Sequence, residues 1–192
     1  MLILKRNWHD WRKFSDLFLK TTLLIEKHQN INNSILVLLF SMLFKTHILL
    51  GILFFLLLRN YFSEGSTILF FLLILLGSIL PDIDEKHSRI NKWFGIVGSI
   101  VAFFAKHRGF FHSLLFHGII FFAISYFFNT YYAWALLLGY TAHIVGDGIT
   151  PMGVQLFYPF SQFKIRGPIK TGGFWEGIIM IVLIIVIIKQ FW

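Results

Sequence analysis

Gly139-Tyr140-Thr141-Ala142-His143-Ile144-Val145-Gly146-Asp147-Gly148 closes a long apolar run. His143 and Asp147 are four apart, so on a helix they lie one above the other on a single face. Gly148 is a natural helix stop, and Pro151 cannot continue a helix. Asp147 is therefore expected at a helix C-terminus, where the macrodipole already concentrates partial negative charge. A carboxylate is poorly stabilised there unless a cation lies beside it. A His-x-x-x-Asp pair in that position reads as half of a metal site. The plainer alternative is a capping aspartate next to an incidental histidine.

The surroundings of this stretch are apolar. The 192 residues are 57% hydrophobic and 14% charged, about half the charged share of soluble domains. Mean hydropathy is +0.74. Several runs reach or approach bilayer-crossing length. The expected fold class is all-α, a polytopic membrane helical bundle with about five transmembrane helices and one interfacial helix. The absence of Cys excludes disulfides and thiolate metal sites. Met1 to Arg6 is too short in apolar length for a signal peptide. The net charge of +8 is read as basic residues on the cytoplasmic side of a membrane, with no obligate nucleic-acid partner.

Two regions are expected. Residues 1–33 form a basic, amphipathic N-terminal extension, in which Trp8, Trp11, Phe14, Leu17 and Phe18 fall on one helical face suited to a membrane surface. Residues 34–192 form the membrane-embedded part. Ser34–Leu58 is the first span, interrupted by Lys45-Thr46-His47. His47 is either a ligand or near an interface, because an unpaired imidazole at bilayer depth is costly. Thr67–Leu80 is the second span, stopped by Pro81. Asp82 and Asp84 follow, and two such close carboxylates repel unless a cation intervenes. Trp93–Ala105 reads as an interfacial helix. His107 and His112 can converge if His112 lies in the first turn of the next span, Phe110–Phe128. His117, inside that span, is assigned to a bond with a neighbouring helix, and His87 is left out of the site. Tyr131–Gly146 returns antiparallel after a minimal link. A loop at 148–173 precedes the last span, Phe174–Trp192, with Glu176 in its first turn.

The positive-inside rule orients these segments. With the N-terminus cytoplasmic, the inner loops hold Lys86, Arg89, Lys92, Lys106, Arg108, Lys164, Arg166 and Lys170, and the outer links hold only Arg59. Asp82, Asp84, His107, His112, His143, Asp147 and Glu176 then meet at one membrane face, within reach of His47. A scatter of solvated charges would not sort that way. These eight residues are the expected metal ligands.

At Thr46-His47, Leu80-Pro81-Asp82-Ile83-Asp84, His107-Arg108-Gly109-Phe110-Phe111-His112-Ser113, Gly139 to Asp147 and Thr150-Pro151-Met152-Gly153-Val154, the chain resembles the YdjM-like family of membrane-bound metal-dependent hydrolases. Gly172-Gly173-Phe174-Trp175-Glu176 is a weaker match, and the first 40 or so residues depart from the pattern. The family is thought to be distantly similar to zinc-dependent phospholipase C and zinc nucleases, all-helical enzymes with zinc held by His, Asp and Glu. The resemblance implies a phosphoester hydrolase at the cytoplasmic membrane face. The donor types suit zinc, with manganese or iron as alternatives. In this reading Asp84 serves as general base, and Arg108, Arg166 or Lys170 holds the substrate phosphate. A lipid substrate fits the location, and a nucleotide is allowed by the basic loops. The rival reading is a non-enzymatic metal-binding membrane protein or a metal transporter, which should carry its ligands near the bilayer midplane.

Overall fold

The computed structural model describes residues 44–192, apart from 63 and 106. The surface helix expected in the N-terminal extension, and the first ten residues of the first span, lie outside the described residues. The described part is all-helical. Its one departure is an isolated antiparallel bridge between Val154 and Ile165.

Helix α1 covers 44–58 and tightens into a 3-10 turn at Arg59–Tyr61. Ser66 then caps α2 (Thr67–Ile79), its hydroxyl accepting the Leu69 N–H. Helix α2 stops just before Pro81, close to the expected end at Leu80. Pro81 sits in the first turn of a 3-10 helix, Leu80–Asp84, where its missing N–H is no loss. Asp82 and Asp84 are thus part of a helical turn. The interfacial helix expected over Trp93–Ala105 is α4 (Gly95–Phe104), and a short further helix, α3 (Arg89–Trp93), precedes it. The break falls at Gly95, whose φ of +56° only glycine adopts readily.

The span expected from Phe110 is also divided. A 3-10 turn at Phe110–His112 ends at Ser113, which takes extended dihedrals and caps α5 (Leu114–Phe127) by accepting the Phe116 N–H. His112 therefore precedes α5 instead of opening it. Asn129 caps α6 (Thr130–Gly148), whose last turn includes Asp147. The final helix, α7, is Phe174–Lys189, three residues shorter than expected.

Phe44–Tyr61 and Thr67–Asp84 are long and apolar enough to cross a membrane. Helices α5 and α7, at 14 and 16 residues, are shorter than the hydrocarbon core. Helix α6 has the length but carries Tyr, Thr, Gly, His and Asp.

The packing is built on α2 against α6. A Cβ at Gly139 would run into the Ile74 carbonyl, and one at Gly77 into that of Leu136, so these glycines set how closely the helices cross. Phe55, Leu56, Phe70, Ile74, Tyr131 and Ala135 fill the space among α1, α2 and α6. Leu50, Ala142 and Leu183 do the same for α1, α6 and α7. The links after α1 and α5 meet at one end, where Gly65 packs on the Tyr131 ring and the Ser66 N–H reaches the Tyr132 hydroxyl at 3.5 Å. The loop at 148–173 folds under the other end. Its Val154 and Ile165 exchange both backbone hydrogen bonds, at 2.9 and 3.0 Å, and the Leu156 carbonyl accepts the first N–H of α5.

Candidate metal centre

His143 and Asp147, one turn apart on α6, are both fully buried. The His143 Nδ1 lies 2.8 Å from the Ser78 carbonyl at the end of α2. A carbonyl only accepts, so Nδ1 carries the hydrogen and Nε2 presents its lone pair inward. His112 brings its own Nε2 to 3.2 Å from that atom and 3.3 Å from Asp147 Oδ2. The distance from His143 Nε2 to Asp147 Oδ2 is 3.6 Å. Ligands about 2.0–2.1 Å from a tetrahedral zinc lie roughly 3.3 Å from one another. Asp147 Oδ2 is buried and accepts no hydrogen bond. The donor set therefore fits a metal ion by spacing and by an oxygen left without a partner.

A second face adjoins the first. The His47 ring, from α1, stacks on His143 at 4.0 Å and 22°. Its Nε2 is 3.5 Å from Asp147 Oδ1. Asp82 Oδ1 lies 3.7 Å from His143 Nε2. The groups His112–His143–Asp147 and His47–Asp82–His143 are both compact enough to hold a metal. They share the one lone pair of His143, so they are two faces of a single centre. The start of α5, the ends of α2 and α6 and the described start of α1 all meet here.

Other expected site residues surround these donors. Asp84 takes His107 Nδ1 at 2.9 Å and the Arg108 N–H at 3.2 Å, and faces His112 Nδ1 at 3.2 Å. It stands behind His112, the place of a carboxylate that orients a metal-binding imidazole. That position does not suit the general base expected of it. His107 is partly exposed, and its Nε2 faces Glu85 at 3.4 Å, away from the donors. Arg108 is buried, with φ +57°. Its guanidinium donates to Asp147 Oδ1 at 2.7 Å, to Thr150 Oγ1 at 2.8 Å and to the Gly153 carbonyl at 3.3 Å. It is turned into the protein and so is not placed to hold a substrate phosphate. Arg166 and Lys170 are exposed. Lys170 helps line a cavity of about 10 Å³ beside His47 and Glu176. Glu176 joins neither donor group. It accepts from the Thr46 hydroxyl at 2.9 Å and from the Gly172 N–H, tying the start of α7 to α1.

His117 differs from its expected role in its partner. Its Nδ1 bonds the Ser113 carbonyl one turn back on its own chain, and its ring lies against Tyr140. His87 makes a backbone bond to Glu85. Sequence reasoning passed over four contributors: the Ser78 carbonyl, Thr46, Thr150 and Gly146. A Cβ at Gly146 would come within 2.7 Å of His47 Nδ1, so only glycine leaves room for that ring. Thr46, Thr150 and Gly146 all lie inside the quoted motifs, and that proximity was the available signal.

The carboxylates act on His112. Burial opposes its charging, but contacts with Asp147 and Asp84 outweigh this and raise its pKa to about 9. Below that value the His112 ring carries a proton between the two acids.

The sequence pattern of a family described as YdjM inner membrane protein matches residues 42–192, which include every donor named above. The chain belongs to this family. Among its relatives, YvsG of Bacillus subtilis, an uncharacterized protein, is 32% identical over 111 residues, covering 54% of this chain and 66% of that one. The inner membrane protein YdjM of Escherichia coli is 32% identical over 108 residues, covering 50% of this chain and 51% of its own. YdjM of Shigella flexneri aligns equally well. The chain thus spans between half and two thirds of the length of these curated relatives. No solved structure matches. Family membership and the two membrane-length helices together make this a membrane protein.

Proposed function

We propose that the protein is a metal-dependent hydrolase that cleaves a phosphoester at the membrane surface. The observation that carries this reading is the convergence of His112, His143 and Asp147 at metal-ligand spacing around an unpartnered carboxylate oxygen, with Asp82 on a partly exposed side. A buried donor set with one accessible flank is what a catalytic metal site needs, since a closed site has no place for water or substrate. Of the carboxylates, Asp147 pairs with the Arg108 guanidinium and Asp84 takes only the Arg108 backbone N–H. Zinc suits the His and carboxylate donors best, with manganese or iron next.

His112, His143 and Asp147 would hold the ion, with His47 and Asp82 on its second face. When bound, the ion would supply a water of lowered pKa and polarise a phosphoryl oxygen. Ser78 fixes the tautomer of His143, Asp84 faces His112 Nδ1 at 3.2 Å, and Arg108 holds Asp147 by Oδ1 so that Oδ2 stays free. Lys170 and Arg166, exposed beside this end of the bundle, are the cations available to a substrate phosphate. A lipid phosphoester is the preferred substrate class, because it can enter sideways from the bilayer. Five antiparallel spans, α1, α2, α5, α6 and α7, with a cytoplasmic N-terminus would put the site and most of the basic loop residues inside.

Elemental analysis of the purified protein, followed by a phosphoester panel with and without chelator, tests this. The expected result is one metal per chain and chelator-sensitive turnover. A metal centre without turnover would favour a purely metal-binding protein. The cavity beside His47, only about one water in size, speaks for that second reading. Ion flux in proteoliposomes without ester cleavage would favour a transporter, although the donors lie at helix ends and not at mid-span.

A further inference from the structure

Helices α3 and α4 contribute no donor to the metal centre, yet they are held firmly. Asn91 donates to the Ile83 and Gly98 carbonyls at 2.7 and 2.6 Å, which fastens both helices to the 3-10 turn below. Gly98 lies so close to the Asn91 backbone that no side chain would fit between them. The outward side of this rigid pair is apolar and uncovered. Ile96, Phe103 and Phe104 are 79, 81 and 82% exposed, and Val97 and Ile100 are also exposed. An open groove of about 610 Å³ runs between the two helices, with Ile96, Ile100, Phe103 and Phe104 along α4 and Lys86 and Lys92 on its other margin. Among the described residues neither lysine forms an ion pair, whereas the neighbouring Glu85 is engaged by His107 and Arg89 lies over the Phe44 ring at 5.1 Å.

We propose that this groove seats one anionic membrane phospholipid, with its phosphate between Lys86 and Lys92 and an acyl chain along Ile96, Ile100 and Phe103. The chemistry selects this occupant. A free phosphate would use the lysines and leave the apolar stripe wet. A purely apolar partner would cover the stripe and leave the two exposed ammonium groups at its margin unused. From Ile96 to Phe104 the stripe is about 12 Å long, the reach of several acyl methylenes. Helix α4, too short to span and apolar on its outward face, suits the headgroup boundary, where a phospholipid meets it side-on. The proposal rests on the α3–α4 surface alone and stands apart from the metal reading.

Native mass spectrometry of the full chain, delipidated in mild detergent, provides the test. The probes are phosphatidylglycerol, phosphatidylcholine and inorganic phosphate. The expected result is one retained phosphatidylglycerol per chain, with phosphatidylcholine held about tenfold or more weakly. Lys86→Gln with Lys92→Gln should abolish that preference, and Ile100→Glu should weaken phosphatidylglycerol binding while leaving metal content unchanged. Equal retention of the two lipids, or retention unaffected by the lysine pair, overturns the proposal. So does equal binding of inorganic phosphate, which would mark a plain anion site. A dimer that buries the groove, or new lipid binding only after deletion of residues 1–30, overturns it as well by naming a different occupant.

Discussion

Asp147 joins two kinds of contact. One oxygen is held by Arg108, and the other faces His112 and His143 without a hydrogen-bond donor. Asp147→Asn should therefore lower metal affinity at least a hundredfold, beyond the 10–100-fold expected when an orienting partner is lost. Asp84→Asn is such a partner loss and should fall inside that range with the fold intact. Arg108→Gln should resemble Asp84→Asn, because it removes the donor that holds Asp147 in place. Isothermal titration with zinc on the three variants checks the order. If Asp84→Asn proves as damaging as Asp147→Asn, Asp84 is itself a ligand. The raised His112 pKa gives a pH signature. A metal must displace that proton, so its apparent affinity should rise about tenfold per pH unit between pH 6 and 8 and level off near 9. Titrations in buffers of different ionisation enthalpy would count the proton released.

At the level of helices, Gly139 and Gly77 set the α2–α6 crossing that carries Ser78 to His143. Gly139→Ala should push the helices apart and cost about 1–3 kcal/mol, typical of overpacking. A lower midpoint of thermal unfolding, with zinc affinity falling in the same variant, is the expected outcome. Unchanged affinity would mean the Ser78 bond survives the shift. The helices themselves were legible in the sequence from their apolar runs, whereas the caps at Ser66, Ser113 and Asn129 emerge from the fold. Interruptions within those runs were not legible. Ser113 breaks the apolar run from Phe110 to Phe128 without altering composition, and hydrophobic length alone treats such a run as continuous. The same limit applies at the site. The i, i+4 pair His143–Asp147 follows from helix geometry, but no local rule states which way Arg108 turns. Only the fold shows that its guanidinium points inward to Asp147, and that Asp84 stands behind His112 and not next to the donors.

For the molecule as a whole, the meeting of helix ends predicts accessibility. Single Cys residues at Glu64 and Asn129 should react with a membrane-impermeant reagent from one side, and those at Arg89 and Lys170 from the other. A shared side for Glu64 and Lys170 would contradict alternating helices. The spread of donors along the chain also has a consequence in time. His47 and Asp147 are supplied by segments that a ribosome produces a hundred residues apart, on the order of 5–20 s of synthesis. During that interval His47 and Asp82 are already made, while His143 and Asp147, which would share a cation with them, have yet to emerge. Under the proposed metal reading, ion capture would then be a late step of assembly, after α6 arrives. Chains arrested after residue 140 should then retain no zinc, whereas those released at full length should. Zinc starvation should lengthen the life of a protease-sensitive intermediate in which α1 and α2 are already paired.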